Sequence, residues 1–472
     1  MLSLKTQINY TMRYNIGIKT IGNATLTAYD DKPILSTDPW LNNDPAYFGS
    51  WVLSYKIPDE EFSSIINSKY IWFSHGHPDH LNHSSLRYFK NNKILLSDHY
   101  GSRIKEDLIN EGFDVSILPD RKWTQLSKNI RVFSIADYAQ NSILLIDVSN
   151  KLFVNLNDAP PRYWLYTVKR IIRKYKESYL LKLFGWGDAD MINYFDENGN
   201  HLPTLMHKRC DYGIGPKIYK EAKFWGVTHV IPFSSHHQYK RTDSYWASKF
   251  IAPLNRYEDG FPQNKEITFI DAFVEINCEN SEVRKINPKK NIVDLVEPSY
   301  FGDNWSDNLE KDDLIKIKKY FQTKEKLAEF LGFINIRVGK IDNYIDINNS
   351  HKTGITFEVP RHSLMQAIEF KIFDDLLIGN FMKTTMHNLQ DLYHPNFNFI
   401  VTKYADNGRA ESLIELAQYL NHYKSRGLID IMLAEFEKQS MKYLRYIIPS
   451  DGSFGKVRDS LIKYRKKYFG KI

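Results

Sequence analysis

The sequence predicts an α/β sandwich over residues 1–300 and a smaller α+β, mostly helical accessory region over residues 301–472. Three observations carry that expectation. Strand-like runs alternate with helical ones through the first part, the pattern of helices layered on sheets. Polar clusters stand directly after strand-like runs, as at residues 74–80 and 234–237. The composition shifts near residues 287–299, and beyond it apolar residues recur at helical spacing. Single cores stop growing at roughly 250–300 residues, so a chain of 472 is expected to divide.

The strands are expected at residues 16–21, 25–29, 70–73, 93–97, 130–135, 142–148, 152–156 and 229–233, each rich in β-branched or aromatic residues. Asp30-Asp31-Lys32-Pro33 reads as a turn, and Ile34-Leu35-Ser36-Thr37 leads into Asp38-Pro39-Trp40-Leu41. Helix is expected from residue 84 to 90, over 163–179, and then over 312–330, 363–370 and 410–439. The Gly-rich segment Phe184-Gly185-Trp186-Gly187-Asp188-Ala189-Asp190 lacks a phosphate-loop lysine and reads as a loop.

Composition excludes several classes. With 42% apolar and 14% aromatic residues the chain can build a sizeable core, so a disordered protein is not expected. A net charge of +7 favours a small anionic partner weakly. The basic excess at Lys456, Arg458, Lys463, Arg465, Lys466 and Lys467 reads as a solvated helix face, not a strong sign of nucleic acid or membrane. Cys210 and Cys278 are too few and too far apart for a disulfide framework, a zinc ribbon or an iron–sulfur site. No run approaches the ~18 apolar residues of a membrane span, and a cytoplasmic location is the expectation.

The chemistry concentrates in His75-Gly76-His77-Pro78-Asp79-His80. Directly after a strand this segment is a loop, so its side chains can converge instead of alternating. Neutral imidazole and carboxylate are good ligands for zinc, iron and similar divalent ions. Gly76 removes a side chain where the loop folds tightly, and Pro78 fixes the backbone between two ligand pairs. His75 and His77 can grip one ion, while Asp79 and His80 face a second or position its water.

A complete site needs distant ligands. Asp158 ends a strand before Ala159-Pro160-Pro161 and is a natural bridging carboxylate. His236 and His237 follow the strand at residues 229–233, and one of them is expected to close the site. Asp38 can orient a ligand histidine from behind. Trp40, Trp51 and Trp72 read as core. Lys208, Arg209, Tyr212, Lys217, Lys240 and Arg241 read chiefly as surface solvation near the mouth, with phosphate contact as the alternative.

These residues also carry a family resemblance. Gly22-Asn23-Ala24-Thr25, Asp38-Pro39-Trp40-Leu41, Ser74 to Leu81 and Asp158 in succession resemble the metallo-β-lactamase superfamily. Asp44 to Trp51, Asn157-Asp158-Ala159-Pro160-Pro161-Arg162, Ile231-Pro232-Phe233 and, more loosely, Val296-Glu297-Pro298 look most like its CMP-N-acetylneuraminate hydroxylase branch. Residues 358–364 and 373–379 look like that branch's C-terminal region, which resembles a sterol-carrier-protein-like module. The resemblance spans most of the chain, but only the histidine motif is highly specific. It implies an αββα sandwich and a divalent metal, zinc or iron, with manganese as a further choice.

Three departures stand out. The hydroxylase branch carries a Rieske iron–sulfur domain, which this chain lacks, so oxygenase chemistry would draw electrons from a separate protein. The superfamily usually offers a further histidine before the bridging aspartate, whereas residues 134–141 contain none, and Asp137 is the expected substitute. Asn23 stands where many related hydrolases carry a histidine. The leading expectation is a metal-dependent hydrolase acting on a small anionic substrate, phosphorylated or sugar-nucleotide-like, with Asp79 and Asp158 as catalytic carboxylates. The alternatives are an iron-dependent hydroxylase and, third, a metal-stabilised binding protein without catalysis.

Overall fold

The computed structural model describes residues 16–42, 44–185, 192–202, 214–263 and 266–447, with side chains as far as 439. In chain order the strands are β1 (Ile16–Ile21), β2 (Thr25–Asp30), β3 (Lys32–Thr37), β4 (Trp51–Leu53), β5 (Tyr70–Trp72), β6 (Lys93–Ser97), β7 (Asp114–Leu118), β8 (Trp123–Gln125), β9 (Ile130–Ala136), β10 (Ser142–Val148), β11 (Lys151–Asn157) and β12 (Ser178–Lys182). They continue as β13 (Asn193–Phe195), β14 (His229–Pro232), β15 (His237–Tyr239), β16 (Thr268–Phe269), β17 (Val274–Asn277), β18 (Val283–Lys285), β19 (Phe333–Val338), β20 (Ile341–Asp346), β21 (Gly354–Glu358) and β22 (Lys383–His387).

Two large sheets face each other. One runs β18-β17-β1-β2-β3-β5-β6-β7 and the other β16-β14-β12-β11-β10-β9-β8. Side-chain alternation shows the layering. On β10, Leu144, Ile146 and Val148 enter the core between the sheets with Ile18, Leu26, Trp72 and Phe153. Ile143 and Leu145 point the other way, against the helices Leu165–Ile172 and Gly215–Trp225. On the first sheet Ile71, Phe73 and Ile94 turn outward onto Ile65 and Leu108 of the helices Asp59–Ile66 and Arg103–Asn110. The result is an α–β–β–α sandwich, built because the central strands bury both faces.

Each sheet is antiparallel on one side and parallel on the other. β3, β5, β6 and β7 run parallel, as do β11, β12 and β14. Ligands in such sheets bind beyond the carboxyl ends of the parallel strands. The loops after β3, β5, β11 and β14 carry Asp38, the histidine motif, Asp158 and His236.

Beyond residue 300 helices and strands both occur, as an α+β region is expected to show. A third sheet, β13-β22-β21-β19-β20, forms there around its own core of Ile334, Phe357, Leu364, Phe373 and Leu376. Its strands are only five or six residues long apart from β13, too short for a period to stand out beside the helices. Its edge strand β13 comes from residues 193–195, so hydrogen bonding crosses the expected boundary. Two helical expectations also shorten. The stretch 163–179 is helical only over Leu165–Ile172 before β12, a parallel strand whose apolar run does not alternate. The stretch 410–439 breaks at Gly427 into Leu413–Arg426 and Leu428–Ile447. A Cβ at Gly427 would lie 2.5 Å from Tyr163 Cβ, so close approach to the first body excludes a side chain. Residues 84–90 form a 3₁₀ turn, His83–Tyr88, capped by the Asn82 side chain. Among the described residues no helix is long and apolar enough to cross a membrane.

Candidate metal centre

The motif loop leaves β5 and closes on itself through His80 N to His77 O at 3.0 Å and Leu81 N to His77 O at 2.8 Å. This turn gathers three imidazoles, each with one ring nitrogen held from behind. His75 Nδ1 pairs with Ser74 Oγ at 2.9 Å. His80 Nδ1 pairs with Asp38 Oδ2 at 3.2 Å. His77 Nε2 lies 3.0 Å from Asp374 Oδ2 and 2.9 Å from Lys403 Nζ.

The opposite nitrogens converge. His75 Nε2 and His77 Nδ1 are 2.8 Å apart. Asp158 Oδ2 lies 3.7 Å from His75 Nε2 and 3.8 Å from His80 Nε2. His75, His80 and Asp158 thus place donor atoms within 4.8 Å of one another, the one such group among the described residues. The fit to a cation is visible in the orphaned atoms: His80 Nε2 and Asp158 Oδ1 are buried with no hydrogen-bond partner. Buried polar atoms are rarely left so without a reason.

Asp79 sits beside this group, its Oδ2 3.3 Å from His80 Nε2. It accepts from Tyr47 OH at 2.5 Å and from Asn23 Nδ2 at 2.9 Å. Asn23 Oδ1 in turn accepts from the backbone of His236 at 2.9 Å. The residue that departs from the superfamily pattern therefore braces a carboxylate and the loop after β14.

Burial and neighbouring charge set the protonation states. Burial pushes His75 well below the usual imidazole range, and His80 and His77 add to it, leaving a neutral ring. Burial opposes charge on His80 as well, but Asp79 and Asp38 outweigh it and hold His80 well above that range. Burial would raise Asp79, yet His80 and the Tyr47 hydroxyl keep it well below the usual carboxylate range. Burial raises Asp158, opposed by His80.

The backbone around the site is strained. Asp38, Tyr47, Phe48, Asn157, Ser234 and Ser235 all have positive φ, at 41°, 51°, 54°, 48°, 68° and 64°. Each costs on the order of 1–3 kcal/mol for a residue with a side chain. Such outliers cluster where surrounding structure over-determines a functional geometry.

Other expected ligands are placed differently. Both His236 and His237 are buried with both ring nitrogens unpartnered, and burial pushes them down to about 4 and about 3. Neither joins the group of three. His237 stacks on Trp51 with centroids 3.5 Å apart, and Asp79 acts on it electrostatically. His236 meets Phe273 edge-on. Asp137 is not brought to the histidines. The tight turn from β9 to β10, with Gln140 N bonded to Asp137 O, directs its carboxylate to Ala139 N at 3.3 Å. Burial raises it to about 7.

Sequence reasoning alone does not bring several neighbours to the site. Asn157 Nδ2 donates to Asp38 Oδ2 at 2.7 Å and lies 3.1 Å from His80 Nδ1. His99, beyond β6, lines with His75 a cavity of about 30 Å³, room for a water. Both its nitrogens are engaged, by Tyr423 OH and Ser142 Oγ. Asp374 and Asp375 interrupt the wholly buried helix Phe373–Ile378, and adjacent carboxylates in an apolar run are a signal that a partner cation exists. Arg241, expected at the surface, is fully buried. Lys208, Arg209, Tyr212, Cys210, residues 186–190 and the basic positions 456–467 lie outside the described residues.

No protein-family model matches the chain, and no curated protein does. Solved structures of metallo-β-lactamase-fold proteins are similar to it. The metallo hydrolase Igni18 from the archaeon Ignicoccus hospitalis is 13% identical over 58% of this chain and 99% of that one, with a TM-score of 0.35. The metallo-β-lactamase-fold protein YhfI from Bacillus subtilis is 11% identical over 55% of this chain and 96% of its own, at 0.30. CmlA, a diiron β-hydroxylase from Streptomyces venezuelae, is 9% identical over 56% of this chain and 54% of its own, at 0.34. With identities and TM-scores this small, the chemistry rests on the donor geometry alone.

Proposed function

We propose that the chain is a metal-dependent enzyme of the metallo-β-lactamase fold, a hydrolase acting on a small anionic substrate. What carries the reading is the convergence of His75 Nε2, His80 Nε2 and Asp158 Oδ2 beyond the parallel strands, with His77 Nδ1 beside them. These four residues would hold a divalent ion. Such an ion lowers the pKa of bound water towards ~7 and so makes a nucleophile available at neutral pH.

The chain's own groups do the rest. Ser74 and Asp38 fix the tautomers of His75 and His80 so that Nε2 faces the centre in both. Asp79, ionised and braced by Tyr47 and Asn23, is placed to take a proton at Oδ2. Asp158 orients the reacting group. The net charge of +7 favours an anionic substrate.

A second reading has its own support. Two histidines and one carboxylate are also the donor set of non-haem iron oxygenases. In that case the protein is an iron-dependent hydroxylase fed with electrons by a separate protein. Elemental analysis of protein purified without added metal separates the two. Near-stoichiometric zinc supports the hydrolase, and near-stoichiometric iron overturns it in favour of the hydroxylase. His77→Ala combined with His80→Ala should abolish metal retention, and unchanged metal content would refute the ligand assignment.

A further inference from the structure

His75 and His80 take their rear partners from the loops and strands of the sandwich itself, Ser74 and Asp38. His77 does not. Its Nε2 faces Asp374 Oδ2 at 3.0 Å, a residue 297 positions away in the chain. Lys403 Nζ donates to the same carboxylate oxygen at 2.8 Å and lies 2.9 Å from His77 Nε2. Asp374 stands on the helix Phe373–Ile378 and Lys403 on the π-helical segment Phe399–Asn407, both packed in the third layer's core.

Both charges are buried, at 4% and 6% exposure. Removing an ion pair from water costs several kcal/mol per ion even after relaxation, and apolar residues of similar volume would often serve packing as well. Their placement against a histidine whose other nitrogen faces the centre is what an orienting carboxylate looks like.

We propose that Asp374, held in place by Lys403, is a positioning residue for the metal ligand His77, so that the third layer completes a centre otherwise built by the sandwich. This rests on the metal-site reading above. It makes the C-terminal region part of the cofactor site, not only an accessory.

Chelator competition with zinc, on full-length protein, tests it, together with the visible spectrum of the cobalt(II)-loaded form. Asp374→Ala should weaken zinc binding by about 10–100-fold and shift the cobalt spectrum. Asp374→Asn, which keeps an acceptor oxygen and the same shape, should retain most of the affinity and guards against loss of folding. Lys403→Met should give an intermediate loss. If Asp374→Ala lowers the melting temperature yet leaves zinc affinity and the cobalt spectrum unchanged, the pair is structural and the proposal falls. If the wild-type chain binds neither metal, the metal reading itself fails and takes this inference with it.

Discussion

Asp38 holds His80 from behind: its Oδ2 lies 3.2 Å from His80 Nδ1, while its Oδ1 accepts from the backbone of Ser74 at 2.7 Å. One carboxylate therefore fixes both the start of the motif loop and the tautomer of its last histidine. Asn157 completes the clamp at 2.7 Å. Asp38→Ala is expected to weaken metal binding by about 10–100-fold, as outer partners of ligand histidines do. Chelator competition checks it. Asp38→Asn should lose less, because an amide oxygen still accepts from Ser74 N.

On the proposed reading, metal binding at His80 is a proton-coupled event. Between Asp79 and Asp38 its proton is retained well above the usual imidazole range. A cation taking Nε2 must displace that proton. Affinity should therefore rise with pH across the neutral region, and binding should release on the order of one proton. Calorimetric titration in two buffers of different ionisation enthalpy measures it. An apparent enthalpy independent of buffer would contradict this protonation state.

The histidine loop was legible because its candidate donors are local. Three imidazoles and an aspartate lie within six residues after a strand, and no tertiary detail is needed to bring them together. Asp158 was legible for a similar reason, as an acid at a strand end. Where Asp137 points is not legible from sequence, because a strand-end carboxylate can turn either way, and hydrogen bonding in the β9–β10 turn directs it to Ala139 N. Asp374 and Lys403 were illegible as site residues, since only the docking of the third layer brings them to His77. The individual strands of the third sheet were not legible, because segments such as β21, Gly-Ile-Thr-Phe-Glu, are too short to compete with flanking helical periodicity.

Asp137 gives a stability prediction independent of metal. Burial raises its folded-state value from 3.8 to about 7. Unfolded protein ionises this group near 4 while the folded protein keeps it neutral up to about 7. Its contribution is thus fully present below about 4 and is lost progressively as pH rises to about 7. Across that interval a tenfold difference in proton affinity between the folded and unfolded chain is worth about 1.4 kcal/mol. Asp137→Asn should flatten the stability profile between those limits and raise the melting temperature at pH 8, with metal content unchanged. Loss of metal in this variant would instead return Asp137 to the ligand set.

Arg241 ties the sandwich to the third layer. Fully buried, it donates to Asp303 Oδ2 at 2.6 Å, to the Phe48 carbonyl at 2.9 Å and to both oxygens of Asp243. Asp303 also accepts from Ser363 N and Oγ at the start of the helix Arg361–Glu369. Removing one partner of a buried pair strands the other charge, so Arg241→Ala is expected to cost about 3–5 kcal/mol in urea unfolding. Arg241→Met with Asp303→Asn removes the fully buried pair, leaving only the partly exposed Asp243 unpaired, and should recover part of that loss, because the two positions share one interaction. The clamp grips the carbonyl of Phe48, whose neighbour Tyr47 donates to Asp79. Arg241→Ala should therefore disturb the site through Tyr47 as well as the stability. Zinc affinity should fall in both variants, because each removes the donor to the Phe48 carbonyl, and wild-type affinity in both would show that the clamp is purely structural.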